Sequence, residues 1–234
     1  MRVDASDGKP KAIVVNFGTH PTILGADNFE ISAEWPGALQ RELEHAFPGA
    51  VVLYTNGAEG DQAPAGAEGN TAFDRVTDFG RRLAKEAEAL ARAITAETGL
   101  AASFAYAAPK LGEPVFSEAG QKRYAAMRPL ALEALPRSAA LQQFRIGGTV
   151  LAALPGEPVC EVGLAAEETV RAAGARSVIT IGLANDYIGY ILNAKEYAHG
   201  GYEVDSRSYY GPGLGERIAV ETGKSAAVLF PSKE

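Results

Sequence analysis

The chain holds a single cysteine, Cys160, among 234 residues. An internal disulfide needs two, and a cysteine-built zinc site needs more, so both are excluded. Runs of Lys or Arg are absent, and acidic residues outnumber basic ones by 29 to 22, a formal net charge of −7. A protein that neutralises phosphates presents a net basic face, so nucleic acid is excluded as a partner. No apolar stretch approaches the length of a transmembrane span. The first residues, Met1-Arg2-Val3-Asp4-Ala5-Ser6-Asp7-Gly8, lack the apolar centre of a signal peptide. As it stands the chain reads as cytoplasmic. The lack of disulfides fits any compartment, and secretion stays open for a longer form.

What is present is the composition of an ordinary globular protein: 47% hydrophobic and 22% charged. Residues 12–18 read as a buried strand, β-branched and apolar on both faces. A turn-like Asp7-Gly8-Lys9-Pro10 precedes them with few residues before it, which suggests a sequence that starts inside a domain. On that reading the strand would expose an apolar edge near Ile13 and Phe17, and self-association would cover it. Pro36 opens a helix whose apolar face is Leu39, Leu43 and Phe47. A second strand covers 51–54. A long amphipathic helix over 72–97 carries Phe73, Val76, Phe79, Leu83, Leu90 and Ile94 on one stripe. A strand follows at 103–109, then a helical segment near 118–135 containing Pro129. Strands at 141–146 and 149–154 flank Gly147-Gly148, a hairpin signature. A helix opens at Pro155-Gly156-Glu157-Pro158 and runs through Ala173, a buried strand covers 177–183, residues 185–202 form a Tyr- and Gly-rich loop region, and a closing helix ends the chain. Alternating strands and helices give an α/β class: a layered mixed sheet with flanking helices and one antiparallel hairpin, read as one domain over 1–234.

In such folds ligands bind in loops beyond the C-terminal ends of strands. Four such loops are polar here. They hold His20; then Asn56, Glu59 and Asp61; then Glu157; then Asn185, Asp186, Tyr187 and Tyr190. Each also has a plainer explanation. A lone histidine after a strand is more often a hydrogen-bonded structural group than a ligand. Glu157 suits a helix N-terminus, and Asn56 to Asp61 suits a turn. Cys160 fits an apolar helix face with no base beside it. His45 reads as a solvent-facing helix residue, and His199 as a loop residue near the Tyr cluster.

The order of these segments is more specific than any one of them. Asn16-Phe17-Gly18-Thr19-His20-Pro21-Thr22, Asn56-Gly57-Ala58-Glu59-Gly60-Asp61-Gln62-Ala63-Pro64, Leu154-Pro155-Gly156-Glu157-Pro158, Ala184-Asn185-Asp186-Tyr187-Ile188-Gly189-Tyr190-Ile191, and Glu196-Tyr197 through Gly201-Tyr202-Glu203 together resemble the neutral/alkaline, non-lysosomal ceramidase family, closest to its short bacterial members. The resemblance covers nearly the whole chain, as an incomplete, C-terminal part of that catalytic domain. It implies zinc as cofactor, with His20, Glu157 and Tyr190 as metal ligands that converge in the fold. It implies Tyr202 as the phenol that steadies a tetrahedral oxyanion, and places Asn56 and Asp61 in the catalytic loop.

Two departures qualify what the resemblance implies. The family's upstream His-x-His segment, which supplies another zinc histidine, has no counterpart, so the zinc site is incomplete in this chain. The family serine falls at Gly57, and the loop contains no serine. Attack would pass to a metal-activated water. The expected function is therefore zinc-dependent hydrolysis of an amide (N-acyl) bond in a small or lipid substrate, as in sphingolipid metabolism, with ceramide turnover itself weak or absent. The alternative is an inactive, truncated relative that serves as a binding module. A homo-oligomer or a separate N-terminal part is the expected partner.

Overall fold

The structure, a computed structural model, describes residues 1–230. Its contacts divide the chain into two compact units: Met1–Thr55 with Ala63–Gly99, and Asn56–Gln62 with the chain from Leu100 onward.

The first unit is a small sheet with a helical pair. Its strands β1 (Arg2–Asp4), β2 (Pro10–Phe17) and β3 (Val51–Asn56) lie in that order. The apolar edge expected at residues 12–17 is therefore not an edge. The three residues of β1 pair antiparallel with β2, Val3 opposite Ala12, and place β2 at the centre. The turn that links them closes on Asp7, whose Oδ1 accepts the Lys9 N–H at 3.1 Å. Exposed apolar residues do occur in this sheet: Phe17 at the end of β2, as expected, with Val3 on β1 and Val51 and Leu53 on β3, while Ile13 is buried.

Helices α1 (Glu34–Ala46) and α2 (Ala72–Ala93) supply the core of this unit. Trp35, Leu39 and Leu43 of α1 are fully buried with Ile13, Val52 and Val76. The helical stripe read from α2 is only partly its core face. Val76, Phe79 and Leu83 pack inward, but Phe73 and Leu90 are exposed. The buried positions are instead Val76, Gly80, Ala84 and Ala91. The reason is a close approach: a Cβ on Gly80 would stand 2.7 Å from the Trp35 carbonyl oxygen. Small residues let the two helices approach, and the larger ones are turned to the flank. Thr71 starts α2 with a reciprocal capping box to Asp74.

The second unit is built on a four-stranded mixed sheet. Its strands are β4 (Ala102–Ala107), β5 (Leu141–Ile146), β6 (Thr149–Ala153) and β8 (Ser177–Ile181), in that order. The β5–β6 hairpin is antiparallel, and β6–β8 is parallel. A parallel partner requires a crossover, and α5 (Cys160–Ala172) provides it. With α8 (Leu214–Ala227) it buries Val150, Ala152, Val170, Val178 and Ala226. Phe104, Tyr106 and Phe144 remain exposed.

Three segments differ from their sequence reading. Glu157 and Pro158 do not open a helix. They form β7 (Glu157–Pro158), parallel to β9 (Tyr190–Ile191), and the helix starts at Cys160. Residues 185–202 are more than loop. They contain β9 and α6 (Ala194–His199), and α7 (Tyr202–Arg207) begins at their end, elements too short to show periodicity. The segment near 118–135 divides into α3 (Glu118–Arg123) and α4 (Arg128–Ala134). Pro129 stands in the first turn of α4, where its missing N–H costs no helical bond. Among the described residues no helix is long and apolar enough to cross a membrane.

Candidate active site

The chemistry-bearing residues of the second unit gather where β7 and β9 run side by side. Glu157 and Tyr190 are register partners of these parallel strands. Partners in register project to the same face, so a carboxylate and a phenol from residues 33 positions apart meet. Both are nearly buried, at 8% and 6% exposure, and they are hydrogen-bonded to each other. Burial, and next the negative charge of Glu157, push the Tyr190 phenol well above its ordinary pKa. Tyr187 donates to Glu157 Oε1 at 2.6 Å. Its own pKa rises to about 12, first through burial and then through that bond. The Tyr202 ring stands edge-on to Tyr190, 6.2 Å between centroids at 72°. Tyr202 is largely exposed, so its hydroxyl meets solvent.

The loop from Asn56 to Gln62 is built into the same unit. Its Gly60 N–H donates to the Pro158 carbonyl at 2.9 Å. A Cβ on Gly60 would lie 2.7 Å from the Glu157 carbonyl oxygen, so only glycine permits the approach. The Asn56 carbonyl accepts from Gly182 N–H at 3.0 Å, just beyond the end of β8. Asp61 Oδ1 accepts the Cys160 backbone N–H at 2.8 Å. That contact caps α5, whose own N-cap residue, Val159, supplies no side-chain bond. Cys160 is thus at a helix start, half-buried rather than in the core. Its thiol is pushed up by burial and then by Asp61, the reverse of an activated nucleophile.

Glu59 is the unusual group of this loop. It is completely buried, and neither carboxylate oxygen meets a hydrogen-bond donor of another residue. Burial pushes its pKa to about 8, with a smaller upward push from Glu157. Glu59 therefore holds a proton near neutrality. Its environment was not legible from residue types: flanking glycine and alanine allow either an exposed turn or a buried one.

His20 lies in the first unit, directly after β2. Its carbonyl accepts the Trp35 indole Nε1–H at 3.1 Å. The loop beyond it is tied down by Glu34, whose carboxylate accepts the Leu24 N–H at 2.8 Å and the Trp35 N–H at 2.7 Å. Glu34 holds a left-handed backbone, φ 52°, to do so. His45 is exposed, as expected; His199 is also exposed, but it is the last residue of α6 rather than a loop residue.

Among the described residues no three His, Cys, Asp or Glu side chains form a metal-binding group. In donor type the Glu157–Tyr190 pair fits zinc, which accepts oxygen donors beside imidazole. A cleft of about 520 Å³ along α8, between Pro109–Leu111 and Leu214–Lys224, shares no residue with this pair.

No protein-family model matches the chain, and a search of curated proteins finds no relative. Solved structures do match. The neutral ceramidase from Pseudomonas aeruginosa superposes with a TM-score of 0.80 at 19% identity, over 99% of this chain and 46% of that one. A ceramidase complexed with C2 gives 0.78 at 19% identity, over 97% and 47%. The chain spans under half the length of these structures. At such low identity the likeness shows the fold alone: this chain folds like part of the neutral ceramidase structures.

Proposed function

We propose that the chain carries part of the active site of a hydrolase of the neutral ceramidase type, acting on an amide (N-acyl) bond with zinc as cofactor. The observation that carries this reading is the in-register, buried pairing of Glu157 with Tyr190. The pair sets a carboxylate and a phenol, two oxygen donors, side by side on one face. It is well suited to a cation, which reverses the upward push on the phenol.

The residues that would hold zinc are Glu157 and Tyr190, with His20 as the imidazole donor. When bound, zinc supplies Lewis-acid polarisation and an acidified water. Tyr202, exposed and with its ring edge-on to Tyr190, donates a hydrogen bond where an oxyanion develops. Asn56 and Asp61 shape the loop that borders the acyl group, with Asp61 acting through its cap on α5. No serine stands between Asn56 and Gln62, so attack falls to water. A lipid amide is the favoured substrate, on the strength of the ceramidase fold.

The test is hydrolysis of short N-acyl substrates by the purified chain with and without added zinc. Turnover that is zinc-dependent and falls at least about 100-fold in Glu157→Gln and Tyr190→Phe supports the reading. Turnover indifferent to both substitutions sinks it. A second reading, a binding module without turnover, is favoured by the lack of a serine in the loop from Asn56 to Gln62. N-acyl ligand binding with no product at any zinc concentration would select it.

A further inference from the structure

Glu157 is served by a second phenol, Tyr187, to which the resemblance gave no role. Tyr187 comes from the turn that follows β8, and its hydroxyl contacts Glu157 Oε1 at 2.6 Å. Arg207, the last residue of α7, brings its Nη1 to the same hydroxyl at 3.3 Å. A guanidinium only donates, so it occupies a lone pair of the phenol oxygen and leaves the phenol proton to Glu157. The direction of the chain is thereby fixed: Arg207 to Tyr187 to Glu157. Tyr187 is 41% exposed, so it contributes little to the core. Its ring could turn to solvent, yet it sits over the carboxylate. The helix that ends with Arg207 also begins with Tyr202.

We propose that Tyr187, oriented by Arg207, is a positioning residue that fixes the carboxylate of Glu157 for metal binding. The inference rests on the reading of Glu157 as a ligand. Partners of this kind hold a ligating carboxylate in one orientation and raise metal affinity by about 10–100-fold. Tyr187 touches neither the metal nor the substrate; it acts through Glu157.

The experiment compares zinc affinity of the full chain, by competition with a chromogenic chelator, across the wild type, Tyr187→Phe, Arg207→Met, the double variant and Glu157→Gln. Tyr187→Phe removes one oxygen and preserves the ring, so thermal unfolding is expected to stay within about 2 °C. Zinc affinity is expected to fall about 10–100-fold in Tyr187→Phe and less in Arg207→Met. The double variant should be no weaker than Tyr187→Phe, because Arg207 acts through that hydroxyl. Crystal structures should show Glu157 in one rotamer in the wild type and displaced in Tyr187→Phe. Unchanged affinity in Tyr187→Phe, beside a loss in Glu157→Gln, overturns the positioning role and leaves Glu157 a ligand. An additive double variant overturns the role of Arg207. Should Tyr187→Phe fail to fold, unchanged affinity in Arg207→Met overturns the oriented chain. Wild-type chain that takes up no zinc, or Glu157→Gln that binds as well as wild type, overturns the ligand reading itself.

Discussion

Glu34 of the first unit and Glu59 of the second, both buried glutamates, are treated in opposite ways. Glu34 in the first unit accepts two backbone N–H groups, from Leu24 and Trp35. Glu59 in the second has no donor from any other residue. Hydrogen bonds to a charged acceptor offset its desolvation, whereas an unmet carboxyl stays neutral. The first unit uses its carboxylate as a clamp on the loop after His20. The second keeps an unmet acid beside Glu157, where it opposes stability. Polar groups that destabilise a fold cluster where chemistry happens, and the other phenols and carboxylates of the candidate site lie in that same unit.

The sharpest way to break this contrast is pH. Glu59 has its folded pKa raised from 4.5 to about 8. The folded state keeps a proton that the unfolded state loses, so the stability is fully present below about pH 4.5 and is lost as pH rises through about 8. The loss amounts to something on the order of 4 kcal/mol across that window. Urea unfolding at several pH values should show it, and Glu59→Gln should flatten the profile. A profile with the same slope in the variant would assign the pH dependence elsewhere.

Removing the clamp comes next. Glu34→Ala strands the buried Trp35 N–H and the half-buried Leu24 N–H and should destabilise by about 2 kcal/mol, whereas Glu34→Gln, which keeps an acceptor, should lose less. Chemical denaturation of the two variants measures the difference. Equal, small losses would mean that Glu34 is not the clamp.

Gly60→Ala tests the close approach of the Asn56–Gln62 loop. The new methyl would lie 2.7 Å from the Glu157 carbonyl, and overpacking of this kind costs about 2 kcal/mol. The same variant should lower any N-acyl hydrolysis, because it displaces β7. Activity and melting temperature both at wild-type level would remove this loop from the site.

The smallest effect belongs to the first unit. Thr71→Ala deletes the capping box of α2 and should cost about 1 kcal/mol. Chemical denaturation measures the loss, and an unchanged midpoint would mean that the box adds nothing to this unit.

Much of this organisation was legible in the sequence because it rests on local preference. Apolar, β-branched runs gave most of the strands, and Gly147-Gly148 gave the hairpin. The five ordered segments gave the ceramidase-like fold, since a motif depends on residue type and order. Other features depended on partners distant in sequence. β2 became a central strand because three residues of β1 pair with it, which no window of composition reveals. Phe73 and Leu90 left the core because Gly80 sets how closely α2 meets α1. Glu157 left the predicted helix start because Tyr190 pairs with it across 33 positions. The burial of Glu59 and the bond from Tyr187 to Glu157 are of the same kind. Periodicity reports the face that a residue could turn inward; which neighbour it meets there, and whether a carboxyl finds a donor, is decided only when distant segments pack and exclude water.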